Sequence, residues 1–206
     1  MSVVGGFPVL AGVDLDLSAG EIVLLTGGNG AGKTSLLRVI AGLAPVTSGE
    51  ATAFGYDLAR PPRAHRGRVV FVGGDAGCYE ALTVRRNLEL YAAASRQAPA
   101  ELLGAAVDLG LEVQLDVPFG RLSTGQRQRC ALAIGLARRA DLFLLDEPHS
   151  GLDERGRDLI DRTVVDAAAG GAIVVVVSHE LERARRIATA EIVVSGGVCG
   201  SKKEIS

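Results

Sequence analysis

Nowhere in the 206 residues is there a run approaching the roughly eighteen consecutive apolar residues that a membrane-spanning helix needs. A chain soluble by itself is expected. No basic segment followed by an apolar stretch opens the sequence, so no export signal is read there. Net charge is only -2 at pH 7, and no block of Lys and Arg occurs. That leaves no electrostatic case for nucleic acid or for an anionic membrane surface. Cysteine is scarce too. Cys78, Cys130 and Cys199 are odd in number, far apart and without the paired spacing of a metal site, as expected of reduced thiols in a cytosolic protein. Internal repeats, low-complexity tracts and sustained heptads are also absent.

What is present is the composition of a soluble α/β protein, 48% hydrophobic and 22% charged, long enough for one domain with a sizeable core. One stretch organises it. Gly27-Gly28-Asn29-Gly30-Ala31-Gly32-Lys33-Thr34 fits the pattern G-x-x-x-x-G-K-S/T. An apolar run over 21–26 precedes it and reads as a buried strand; a helix beginning with Ser35 follows. Strand, glycine loop and helix together make a phosphate cradle. The glycines let several backbone N–H groups converge on one anion, and the helix N-terminus adds its own N–H groups and positive dipole end. Lys33 then reaches the β- and γ-phosphates, and the Thr34 hydroxyl ligates Mg²⁺.

Taken in order, the chain predicts a short β region over 3–17, with period-two alternation from Val13 to Leu17. After the glycine-loop helix, which ends near Gly42, come a short strand at 50–56, a Pro- and Arg-rich surface connection at 60–68 and a strand at 68–72. Helices are predicted over 83–95, with Thr83 as cap, over 99–109 and, after the segment 122–126, to about 139. Strands over 142–145 and 173–177 are wholly apolar, the kind that lies inside a parallel sheet. Between them 153–169 reads as a helix, and a short helix from 180 and a hairpin over 192–199 finish the chain. Strands alternating with helices indicate a parallel sheet covered on both faces.

Parallel sheets place ligand sites at the carboxyl ends of their strands. Asp146-Glu147 stands at the end of one apolar strand and His179 at the end of the other. Asp146 is placed to hold Mg²⁺, directly or through water. Glu147 is placed to orient and deprotonate a water attacking the γ-phosphate, and His179 to hydrogen-bond a γ-phosphate oxygen. Singly, each has a plainer reading: a polar loop start before Pro148, and a cap region after Ser178. Their joint occurrence behind a complete glycine loop favours the catalytic one.

At this point the chain resembles an ATP-binding-cassette (ABC) ATPase over nearly its whole length. Leu122-Ser123-Thr124-Gly125-Gln126 is similar to the family's L-S-G-G-Q signature, with Thr124 in third place, and Ser150-Gly151-Leu152-Asp153 is similar to its D-loop. The resemblance implies a P-loop NTPase (RecA-like) parallel-sheet core with an N-terminal antiparallel β region and an inserted helical subdomain at about 76–138, all within a single domain of 1–206. It implies two subunits facing head to tail on ATP, with Ser123, Gly125 and Gln126 completing the partner's nucleotide site and Asp153 linking the two sites. Gly27 to Ser35 bind the nucleotide. It further implies a separate transmembrane permease as partner, received on the helical region between 71 and 122, and a place on the cytoplasmic face of the membrane through that partner. Short length and the glycine-rich stretch at 73–77 most resemble small exporter subunits, among them the ATPase of the heme exporter of cytochrome c biogenesis.

The chain departs from the family pattern in three places. The Gln usual after the strand at 68–72 is missing, with Gly74 or Asp75 in its place; Asp75 could bind Mg²⁺ through water. The aromatic that stacks on adenine is replaced near Val4, and Phe7, the nearest ring, reads as core. His149 stands where a small hydroxyl residue is usual and reads as a loop histidine without a catalytic role. Three other readings stay open: a degenerate, nucleotide-binding regulatory subunit, a soluble mechanical ATPase, and the ATPase of another small-molecule or drug exporter of the family. The second lacks the long coiled coil of DNA-acting relatives, with about ninety residues and no sustained heptads between glycine loop and signature.

Overall fold

The computed structural model describes residues 3–4, 7–8, 10–60, 64–73 and 77–205. The chain opens on an antiparallel hairpin of β1 (Val3–Val4) and β2 (Phe7–Pro8). Next come β3 (Ile22–Thr26) and α1 (Lys33–Ile40), then a second hairpin, β4 (Thr52–Ala53) and β5 (Tyr56–Asp57), and β6 (Val69–Val72). Three helices follow: α2 (Val84–Ser95), α3 (Pro99–Asp108) and α4 (Thr124–Leu136). The remainder alternates: β7 (Leu142–Asp146), α5 (Glu154–Ala169), β8 (Ile173–Val177), α6 (Leu181–Ile187), β9 (Ala190–Ser195), β10 (Val198–Cys199) and β11 (Lys203–Glu204). Two compact units result, one of residues 1–71, 140–147 and 164–206, the other of 72–139 and 148–163.

In the first unit β3 lies between β8 and β9 and runs parallel to both; β7 lies parallel beyond β8 and is flanked by β6. The apolar runs explain this. Val23, Leu24 and Leu25 of β3, Leu144 and Leu145 of β7 and Val174 and Val175 of β8 are completely buried, as strands covered on both faces must be. On one face α1 packs through Leu36, Leu37 and Val39. β10 and β11 both pair antiparallel with β9; β11 has no counterpart among the sequence expectations.

Three expectations are corrected. Val13 to Leu17 makes no strand, although Leu15 and Leu17 turn inward against the core as the alternation requires. Alternation reports a buried face; a strand also needs a hydrogen-bonded neighbour, and here only Gly12 forms an isolated bridge, to Val198. The strand at 50–56 is a hairpin instead. Phe54 and Gly55 both have positive φ, 53° and 79°, the requirement of a two-residue type I′ turn. The Phe54 ring lies under the Arg68 guanidinium, 4.1 Å from carbon to ring centre. The connection at 60–68 is not all surface either. A 3-10 turn over Ala64–Arg68 buries His65 completely against Gly42.

In the second unit the Thr83 side chain caps α2 by accepting from the Arg86 N–H at 3.2 Å, and Pro99 starts α3. Leu88, Leu102, Leu111 and Leu132 are fully buried, each stabilising the unit by about 2 kcal/mol relative to exposure. None of the three cysteines is in a disulfide.

One buried polar side chain fixes the approach to α2. Asn87 accepts from the Tyr79 N–H at 2.8 Å and donates to the carbonyls of Tyr79 and Thr83, both at 3.0 Å. Asn87→Ala should therefore lower unfolding free energy by about 2–4 kcal/mol, read by urea denaturation, because several buried backbone groups lose their partner at once. A loss near that of a surface substitution would mean that water replaces the amide.

Candidate functional site

In the first unit the strands end level. Leu25 of β3 and Asp146 of β7 both pair with Val177 of β8, so the residues following each emerge at one edge of the sheet. From β3 the chain turns at Gly27, whose φ is 141°. A Cβ there would stand 2.0 Å from the Val194 carbonyl oxygen, so glycine alone fits. Gly30 and Gly32, also at positive φ, complete the curl into α1. No side chain caps α1, and its first turn holds no acidic residue. Its leading N–H groups and positive dipole end suit an anion. Lys33 folds back over the loop and donates to the carbonyls of Gly27 at 2.8 Å and Gly28 at 3.0 Å. Its remaining N–H donor suits a phosphate oxygen.

The Thr34 hydroxyl donates to Asp146 Oδ2 at 2.6 Å, tying the first turn of α1 to the end of β7. One hydroxyl and one carboxylate fit Mg²⁺, which takes one or two carboxylates and completes its shell with water and phosphate oxygens. Among the described residues no group of three or more His, Cys, Asp or Glu could hold a metal, so no all-protein cage competes with this pair.

Glu147 leaves the strand in a left-handed conformation, φ 54°, directly before Pro148. Proline disfavours the α region in the residue before it, and left-handed backbone strains a side chain with a Cβ; such a site costs of order 1–3 kcal/mol. The Glu147 N–H is fixed by the Val177 carbonyl at 2.8 Å. Its carboxylate accepts from the His179 N–H at 3.1 Å and lies 3.4 Å from His179 Nε2. The His179 ring is largely exposed. Glycine loop, Thr34, Asp146, Glu147 and His179 are thus gathered in one unit.

Ser123, Gly125, Gln126 and Asp153 belong to the second unit. Ser123 and Gln126 form a capping box at the start of α4: Ser123 Oγ accepts from the Gln126 N–H at 3.3 Å, and the Gln126 side chain accepts from the Ser123 N–H at 2.9 Å. Ser123 stays exposed, its hydroxyl proton available to an acceptor. Gly125 packs on Gly151, where a Cβ would meet the Gly125 Cα at 3.0 Å. Asp153 Oδ1 accepts from the Gly156 N–H at 3.0 Å and so starts α5. His149 is buried, with Nε2 2.9 Å from Asp161 Oδ1 across the turn into α5. It braces the 148–153 loop, a role that no local pattern signals. Gly74 and Asp75 lie outside the described residues; Val4 and Phe7 fall in β1 and β2.

Known proteins resemble the chain in sequence and in fold. A family model described as ABC transporter matches residues 10–150. The chain is 40% identical over 169 residues to the cytochrome c biogenesis ATP-binding export protein CcmA of Bordetella bronchiseptica, covering 81% of this chain and 75% of that protein. It is 34% identical over 192 residues to CcmA 2 of Salmonella paratyphi A, covering 93% and 92%. Among solved structures it resembles a dimeric ATP-binding cassette in a post-hydrolysis state bound to ADP and Pi. There the TM-score is 0.86 and the identity 26%, over 96% of this chain and 91% of that one.

Lys33→Ala should leave the fold intact and weaken nucleotide binding by roughly 10- to 100-fold, measured with a fluorescent ATP analogue. Unchanged affinity would contradict the loop as the phosphate site.

Proposed function

The chain belongs to the ABC transporter family as one of its ATP-hydrolysing subunits, and we propose that it closes head to tail with a second such subunit on ATP to drive a separate transmembrane permease. The observation that carries the reading is the 2.6 Å bond between Thr34 and Asp146, which joins a phosphate cradle to a strand end bearing Glu147. The backbone N–H groups of Gly27 to Gly32, with Ser35, hold the phosphates, and Lys33 spans the β- and γ-phosphates. Thr34 and Asp146 would hold Mg²⁺, which when bound offsets charge on those oxygens. Glu147 orients the attacking water and takes its proton; His179 Nε2 donates to a γ-phosphate oxygen while its backbone N–H steadies the Glu147 carboxylate. Ser123, Gly125 and Gln126 of one subunit face the nucleotide of the other, with Asp153 in the linking loop. The capping box supports this use, since the same helix N-terminus that Ser123 caps also attracts an anion.

No helix among the described residues is long and apolar enough to cross a membrane; in the proposed assembly the permease supplies the span and this chain binds the cytoplasmic face through it. Exposed Tyr79, ahead of α2, and Leu90, midway along it, offer the permease apolar footholds. Arg85 and Arg86 there are already paired, with Asp116 at 2.8 Å and Glu89 at 2.7 Å. The named relatives support export in cytochrome c biogenesis; the cargo we propose is heme.

The test is steady-state ATP hydrolysis by wild type and Glu147→Gln, each with and without the permease. Glu147→Gln should bind ATP and lose turnover by roughly 100-fold or more, and wild-type turnover should rise with the permease. Turnover surviving in the variant removes Glu147 as the base; turnover indifferent to the permease removes the transport role.

A further inference from the structure

We infer that β9 and the turn after it form the platform on which the glycine loop is set, and that Glu191 is a positioning residue for nucleotide binding. The match to the family model stops at residue 150, ahead of this strand. The inference rests on reading the loop as the nucleotide site.

Three contacts from β9 and its turn meet the loop along its length. At the entry, the buried Thr26 hydroxyl donates to Glu191 Oε1 at 3.0 Å. At the bend, the Val194 carbonyl lies where a Gly27 Cβ would be. At the far side, the Gly197 N–H in the β9–β10 turn donates to the Ala31 carbonyl at 3.0 Å. The turn is pinned from behind as well: its Gly197 carbonyl accepts from the Ala11 N–H at 2.8 Å. Parallel pairing of β3 with β9 alone ends at Thr26, so these contacts carry the alignment past the last strand residue and into the loop.

Glu191 does more than close a sheet edge. Arg185 of α6 donates to both of its oxygens, Nε and Nη2 each at 3.0 Å, and Thr26 shares Oε1. The guanidinium holds the Glu191 carboxyl below its ordinary value, against some desolvation by burial, so it stays ionised through the neutral range. Lys203 of β11 stands opposite it in register. Since α6 follows directly on His179 and Glu180, one carboxylate joins the segment behind His179 to the residue before Gly27. A mere edge ion pair would add to stability and leave ATP affinity alone; a platform changes affinity and leaves the chemical step alone.

The experiment uses the full chain with Mg-ATP and compares Thr26→Val, Thr26→Ser, Glu191→Ala and the Thr26→Val/Glu191→Ala double variant, with Lys33→Ala in parallel. Thr26→Val and Glu191→Ala should each raise KM and the dissociation constant of a fluorescent ATP analogue by about three- to tenfold, with kcat little changed. Thr26→Ser should restore wild-type values. The double variant should be no weaker than the weaker single, because both break one chain of contacts. Thr26→Val, nearly isosteric, carries the test should Glu191→Ala fold poorly. Wild-type affinity in Thr26→Val overturns the platform while a defective Lys33→Ala keeps the loop as the nucleotide site. Normal binding in Lys33→Ala overturns both.

Discussion

Leu25 of β3 and Asp146 of β7 are level with Val177 of β8, and the chemistry of the first unit depends on that register. A slip of one residue in a parallel pair would turn every side chain to the other face and lift Asp146 away from the edge. Kept in register, the sheet brings Thr34 and Asp146 within a hydrogen bond although 112 residues separate them in sequence. The apolar content of the strands is what enforces this. β3 is buried throughout and β7 and β8 at four of five residues, so a slip that drew Asp146 inward would set its carboxylate among buried Val and Leu side chains. Glu147 and His179 then meet because Glu147 directly follows β7 and His179 stands two residues past the end of β8, at the same edge.

Much of this is legible in the sequence, because the signals are local. The glycine loop needs nothing beyond its own eight residues and the strand before it. Thr83 and Ser123 announce helix starts through cap chemistry confined to one turn. The uninterrupted apolar runs at 142–145 and 173–177 announce interior strands and thereby locate Asp146, Glu147 and His179 at strand ends. What escapes is whatever depends on a distant partner. Leu15 and Leu17 alternate correctly yet find no ladder. His149 reads as an idle loop residue until Asp161, twelve positions on, proves to be its partner. His65 reads as surface within a basic connection, and its burial depends on Gly42 leaving room for the ring. Phe54 at positive φ contradicts local preference and is kept by the Arg68 guanidinium over its face.

Several elements serve two ends with the same atoms. The Ser123–Gln126 capping box satisfies the first N–H groups of α4 and leaves a hydroxyl proton outward. Glycine meets glycine where Gly125 packs on Gly151, so the start of α4 and the 150–153 loop approach more closely than side chains would allow. Displacing one requires moving the other. Arg129 adds to the joint, donating to the carbonyls of Gly151 at 3.3 Å and Leu109 at 3.2 Å. Capping and close backbone approach are ordinary means of stabilising a fold; here they also make two motif segments a single mechanical piece.

Glu147, finally, has an evolutionary consequence. At φ 54° before a proline, almost any drift toward glycine or asparagine would relax the backbone. A lineage selected for folding alone would lose the carboxylate early, since its removal costs the fold an exposed contact with His179 and relieves the backbone of strain. The acid persists at that position only under continuous selection for turnover, which makes this single residue a gauge of whether a descendant gene still encodes a working motor.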